Sequence, residues 1–475
     1  MGVTIPGPSG EVKESYEISN SLRFNDGDSP QLNLANVGTV TNNKIFTYSV
    51  WIKKSSIESA NQSIISAESG NNRAQLLFRS GSNDAIRIVE TSDAYSSFNT
   101  LLTTASLFRD PSAWYHIVLS YDSTDGTAGD RVKIYVNSVL QTLSGTTADS
   151  NFTTPFNEES YNLDIGHLNN SEFLDGYMSD AHFIDGQALT PTSFGETNDN
   201  GVWIPKKYTG SYGLNGFKLE FKQTGTSTNS SGIGADTSGN DRHFAVSNLA
   251  ATDVTEDTPT NNFATLNPLT QSEPGNSPTF AEGNLKITMA NFDTESVMAT
   301  IGVTQGKWYW EVKGGWKTSN WGFGIEKASS SNTGFNVGYT STSYSFSQNG
   351  YKQNNSSATQ IDSGLSDGDI IGYALDLDNG YFNFSQNGVW YNGSASESTT
   401  FDTSNHDFTS LDFGSEFVMP TISAFGDSSI TTEINFGNPT FSISSGNNDG
   451  KYGNFEYPPP SGYYALCTKR LAEFG

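Results

Sequence analysis

The sequence predicts an all-β protein, two β-sandwich domains joined by a Gly/Ser/Thr-rich connector. Three observations predict it. Aromatics are abundant (30 Phe, 21 Tyr and 8 Trp), while charged residues reach only 16%, below the usual share of about a quarter. Short runs with period-two alternation recur between clusters of Gly, Asn, Asp, Ser and Thr. Long Ala/Leu/Glu/Lys-rich stretches of the helical type are missing, so the balance favours strands and polar turns. With 475 residues the chain has length for two sizeable cores.

Residues 1–13 are punctuated by Pro and Gly and are expected to form an extended N-terminal arm. Residues 14–205 read as the first sandwich. Phe46–Ile52 alternates, Ala85–Val89 is a short apolar run, and Trp114–Tyr121 is β-branched and aromatic. In Arg131–Val136 the spacing places Val132, Ile134 and Val136 on one face, with Lys133 and Tyr135 on the other. Turn clusters such as Asp122–Gly129 separate these runs.

Three segments of this region, in order, resemble a LamG-type, concanavalin A-like jelly roll. They are SLRFNDGDSPQLNL with FTYSVWIKKS, then WYHIVLSYDST with DRVKIYVNSVLQTL, then Tyr161–Phe194. The last carries Phe173, Asp175-Gly176, Met178, Asp180, Phe183 and Leu189-Thr190, which fit the family's turn-and-strand pattern. The resemblance implies a lectin-like or glucanase-like sandwich. It also implies calcium as a possible cofactor, with Asp26, Asp28, Asp175 and Asp180 as the local carboxylate candidates.

Residues 206–278 form a connector with some strand. Thr224–Gly239 is almost wholly Gly, Ser, Thr, Asn and Asp, as in a solvated loop. Phe217–Phe221 alternates, and His243–Val246 is an apolar patch. The stretch Thr258–Pro268 resembles a segment of phage structural proteins that joins two such modules.

Residues 279–445 read as the second sandwich, and 446–475 as a C-terminal tail packed on it. Trp308, Trp310 and Val312 share one strand face, and Trp321–Ile325 is a second strand. A near-repeat places Asn349-Gly350 and Asn387-Gly388 between β-prone runs, the strongest short hairpin signal. The order GKWYWEV (306–312), WGFG (321–324), a hairpin ending at Gly350, GDIIGYALDLDNGYFNFSQNG (368–388) and MPTIS (419–423) resembles a SPRY domain. In that family, loops at one edge of the sandwich carry partner recognition. The resemblance therefore points to Trp316, Tyr339, Tyr351 and Tyr391, read as loop aromatics, as candidate ligand-binding residues.

Catalytic patterns are sparse. A glycoside hydrolase needs two carboxylates at a set separation, yet no Glu-x-Asp-x-x-Glu run occurs. Glu158-Glu159 are adjacent, and Asp376 and Asp378 sit where a strand meets a turn. No Gly-x-Ser-x-Gly elbow or phosphate-cradling glycine loop is present. The five histidines never pair at i+2 or i+4, and Cys467, the single cysteine, has no neighbouring His and precludes an intramolecular disulfide. The formal net charge of −26 speaks against nucleic-acid binding, which needs clustered Lys and Arg. No run approaches the length of a membrane span, and no signal peptide is visible at the N-terminus.

The expectation is a non-enzymatic virion protein of a tailed phage, made in the host cytoplasm and displayed on the particle surface. It would serve as a tail-fibre or adhesin component that binds a host-surface glycan or receptor, alongside other virion proteins and as a homo-oligomer. A capsid decoration or cement protein of the same fold, and a polysaccharide-degrading hydrolase, are the alternatives.

Overall fold

The computed structural model describes residues 16–475 apart from 36–37, 58–59, 82–83, 93–96, 272–277, 290–291, 316–319, 331–335, 395–396 and 427–428. Two antiparallel sandwiches account for nearly all of it. In the first, one sheet is centred on Ile45–Lys54, flanked by Trp114–Asp122 and Gly176–Asp185. The facing sheet runs through Phe98–Leu107, Ala85–Thr91, Asn72–Arg79, Gln62–Ser69 and Asn162–Ile165. Alternate side chains of the two sheets, among them Phe46, Tyr48, Leu76, Phe78, Ile86 and Ile88, meet in one core. Strand Val132–Val136 alternates buried and half-buried residues, as its sequence predicts.

Residues 217–255 of the connector are woven into this first sandwich, whereas Phe263, Ala264 and Leu266 pack with the second. Phe217–Leu219 pairs with Ala181–Phe183, and Ala245–Ser247 pairs with Gln31–Asn33. Within the Gly/Ser/Thr stretch, Ile233, Ala235 and Asp236 are buried. The polar composition hid this, because two apolar side chains suffice to pin a loop whose backbone bonds itself locally, as in Ile233 N to Gly225 O at 2.7 Å.

In the second sandwich, Lys307–Gly314 lies at the middle of one sheet and Asn320–Lys327 within the other. Trp308, Trp310, Phe323, Tyr373 and Phe384 fill the space between them, and Trp310 stacks on Tyr373 with centroids 5.7 Å apart. Asn387 and Gly388 both adopt positive φ (50° and 77°). That is the geometry of a two-residue hairpin turn, and it joins Tyr381–Gln386 to Val389–Trp390. The tail packs on this sandwich. Tyr464–Ala465 adds a parallel partner to Trp308–Tyr309, and the chain ends in the helix Thr468–Phe474. Buried Glu311 clamps the tail by accepting from Glu456 N at 3.0 Å and Tyr457 N at 2.7 Å.

A polar interface joins the sandwiches. Lys53, 1% exposed, reaches Asp257 at 2.8 Å, Asn262 Oδ1 at 2.7 Å and the Phe263 carbonyl at 3.1 Å. Trp114 Nε1 donates to the other oxygen of Asp257 at 3.2 Å. Tyr177 OH donates to the Gly283 carbonyl at 2.9 Å, and Asn284 Nδ2 to the Ser55 carbonyl at 2.6 Å.

Candidate functional site

The outer face of the second sandwich's six-stranded sheet carries a groove of about 250 Å³. Its floor follows from strand periodicity. In Asn320–Lys327, Phe323 and Ile325 enter the core, which turns Gly322 and Gly324 outward. In Ser343–Ser347, Tyr344 and Phe346 enter the core and Ser345 and Ser347 turn outward. The register sets Gly322 beside Ser347 and Gly324 beside Ser345, and Gly322, Ser345 and Ser347 leave the floor low. Tyr351 and Gln353 stand on the next strand, Tyr351–Asn354, facing Gln360 and Ala358.

The loop containing Asn336, Val337 and Tyr339 forms the opposite bank. Val337 N donates to Ser423 Oγ at 2.9 Å, Gly338 N to Ser343 Oγ at 2.9 Å, and Ser356 Oγ to the Tyr339 carbonyl at 3.0 Å. Gly338 has φ of +96°, and a Cβ there would collide with Ser345 Oγ; only glycine lets the loop lie this close. Tyr339 is 40% exposed. Tyr351 is half-buried, with its hydroxyl 3.4 Å from Gln360 Oε1. Asn336 Oδ1, buried in the bank, has no hydrogen-bond partner among the described residues. Two phenol rings between banks of amides and hydroxyls suit a ligand that offers both apolar faces and hydroxyl groups.

One carboxyl lies under the same face. Glu326 continues the Gly322, Gly324 alternation and is fully buried. Burial pushes it up to about 8, with the nearby Thr421 working in the opposite sense.

The sequence candidates distribute unevenly. Tyr339 and Tyr351 come together in the groove, although Tyr351 lies on a strand and not in a loop. Tyr391 is corrected: it is 2% exposed, packs 5.2 Å from Phe346 and donates to Gln386 Oε1 at 2.7 Å, so it belongs to the core. Trp316 lies outside the described residues. Asn336, Gln353 and the small floor residues escaped sequence reasoning, because their only signal is the register that aligns them.

The four calcium candidates make separate contacts in the structure. Among the described residues, no three His, Cys, Asp or Glu side chains converge as a metal cluster. Asp26 and Asp28 sit on an exposed turn, where Asp28 accepts from Asn25 at 2.7 Å. Asp175 is buried at the strand edge, with its carbonyl bonded to Ser55 N. Asp180 occupies a β-bulge between Ser179 and His182 and has φ of +45°. The bulge aims its carboxylate at His182 Nε2 (3.0 Å), Tyr16 OH (3.0 Å) and Lys218 Nζ (3.4 Å). Burial works against its charge, but His182 and Lys218 hold its carboxyl well below the usual range.

The hydrolase candidates are equally committed elsewhere. Asp376 pairs with Lys307 at 2.8 Å, Asp378 accepts from Gly306 N at 2.8 Å, and Glu158 accepts from Asn43 at 3.3 Å. His116 is fully buried between Ser49 and Trp203 and is pulled down to about 3 by burial. Cys467 is buried, and its thiol is pushed up to about 11. No described helix is long and apolar enough to cross a membrane.

Comparison with known proteins agrees with the two-sandwich architecture. The family model of the concanavalin A-like lectin/glucanases superfamily matches residues 26–193, and that of the SPRY domain matches residues 307–438. Among solved structures, the SPRY domain of human HERC1 is similar at 17% identity, over 36% of this chain and 96% of that one, with a TM-score of 0.27. A heptameric SAP-like pentraxin from Limulus polyphemus is similar at 16% identity, over 37% and 80% of the two chains, with a TM-score of 0.28. No curated protein matches. Lectin-like and SPRY domains are typically binding modules, which supports a carbohydrate- or protein-binding role. The chain therefore carries a concanavalin A-like lectin/glucanase domain at residues 26–193 followed by a SPRY domain at residues 307–438.

Proposed function

We propose that this protein is a non-enzymatic adhesin that binds a surface glycan in the Tyr339–Tyr351 groove, and that it serves on the surface of a tailed-phage particle. The observation that carries the glycan reading is the groove itself: two phenol side chains, Tyr339 and Tyr351, line it together with Gly322, Ser345 and Ser347 and the amides of Asn336, Asn349 and Gln353. Sugar rings offer C–H faces to aromatics and hydroxyls to amides, which is the chemistry this face presents. The order of two lectin-like domains, the single buried cysteine and the acidic, sparsely charged composition support display outside a cell after assembly in a reducing one. In this reading the chain acts as a homo-oligomer seated on other virion proteins.

The role is tested by deleting the gene from the virus that encodes it. Particles without the protein should fail to adsorb to the host, and purified protein added in excess should block adsorption of intact particles. Normal adsorption by the deleted particles would refute the attachment role.

A further inference from the structure

A second cleft, of about 600 Å³, opens between the two sandwiches. One wall comes from the first sandwich and its following segment, with Asn20, Thr252 and Glu256. The other comes from the second sandwich, with Asn438, Ser442 and Asn454. Arg23, 1% exposed, ties the walls together: it donates to the Thr252 carbonyl at 2.9 Å and the Pro439 carbonyl at 3.4 Å, and lies 3.1 Å from Glu282. The cleft thus exists only where both domains meet.

Its chemistry points to a ligand class. Four asparagines line it (Asn20, Asn438, Asn448 and Asn454), and an amide both donates and accepts, as a sugar hydroxyl does. Only two lining residues are charged, Glu256 and Lys222, of opposite sign, and Lys222 lies 3.4 Å from Glu220. The lining therefore favours neither a strong anion nor a strong cation. Asn438 is 4% exposed, yet its Nδ2 has no hydrogen-bond partner among the described residues. A buried donor left open costs stability unless something fills it. The cleft volume falls within the roughly 300–1,000 Å³ typical of small-molecule sites.

We infer that this interdomain cleft is a second binding site, for a neutral, hydroxyl-rich oligosaccharide held by the asparagine amides that line it. It stands on its own geometry and does not require the tyrosine groove to bind sugar. A ligand that touches both walls would also favour the arrangement of the two sandwiches seen here.

The test uses the full chain with the groove silenced by Tyr339→Ala and Tyr351→Ala. A panel of neutral hexose and N-acetylhexosamine oligosaccharides, with uronate-containing counterparts, is titrated by calorimetry. Neutral members are expected to bind in preference to the uronates. Affinity should fall about tenfold or more on Asn438→Leu, and likewise on Thr252→Trp, which fills the cleft from an exposed side chain with no bond to lose. The melting temperature reports that each variant is folded. The proposal is overturned if no neutral oligosaccharide binds the groove-silenced chain, or if binding is unchanged in both cleft variants. Binding that depends on the cleft residues and not on the tyrosines would uphold the cleft and refute the groove, so the two readings fail separately.

Discussion

The Lys53 interface and the Tyr339–Tyr351 groove are built from similar polar residues, yet they are finished differently. Around Lys53 every arm is used. The Lys53 ammonium has three acceptors, and Asp257 takes the ammonium, Trp114 Nε1 and Phe263 N. In the groove a ring is 40% exposed, and the floor is made of residues too small to cover it. The contrast separates polar groups that hold the fold from polar groups available to a ligand, a distinction that residue type alone does not make.

Mutations should sort by that contrast. The largest effect is expected from Lys53→Met, which strands a fully buried carboxylate. Such a break costs about 3–5 kcal/mol, readable as a lower denaturation midpoint. A loss below about 1 kcal/mol would mean that Asp257 is satisfied without the ammonium. Next, Glu311→Ala removes the acceptor of Glu456 N, Tyr457 N and Asn435 Nδ2. The expected cost is about 2–4 kcal/mol, together with faster proteolysis of the tail after Tyr457; a protected tail would show that other contacts hold it.

Within the second sandwich, Gly338→Ala should lower affinity at the groove and cost roughly 1–3 kcal/mol, since it displaces the bank from Ser345. Retained affinity would show that the bank tolerates the shift. The last effect is a matter of pH. Burial raises Glu326 to about 8 in the folded chain against an ordinary value of 4.5. The native state then holds a proton that the unfolded state releases, so stability should fall as pH rises from about 4.5 to about 8. Glu326→Gln should flatten that slope and raise the melting point at pH 8 by ~5 °C, with little change at pH 4. An unchanged slope would assign the pH dependence to another group, such as Glu311, pushed up to about 7.

Much of the fold was legible because strand burial imposes a period that the residues display directly. Val132, Ile134 and Val136 announce their face, and Trp308, Trp310 and Val312 do the same. The role of 206–278 was harder to read, because its anchors are single residues such as Ile233 and Phe244 set in polar sequence. The groove was half legible. Tyr339 and Tyr351 stood out as aromatics, but Tyr391 looks the same in sequence and is buried, because its ring packs against Phe346 across the core. Asp180 is placed by a related cause. A bulge, which composition does not announce, hands its carboxylate to His182 and Lys218. Sequence shows which side chains have the chemistry to bind; register and bulges decide which of them are left open.

The most direct measurement is a glycan array probed with the wild-type chain and with the Tyr339→Ala/Tyr351→Ala variant, after melting curves have shown that both are folded. The predicted result is selective binding by the wild type to a set of glycans, with most of that set lost or weakened more than about tenfold in the double variant. An identical binding profile for the two proteins, or no glycan bound by the wild type, would contradict the assignment of the groove as a sugar site.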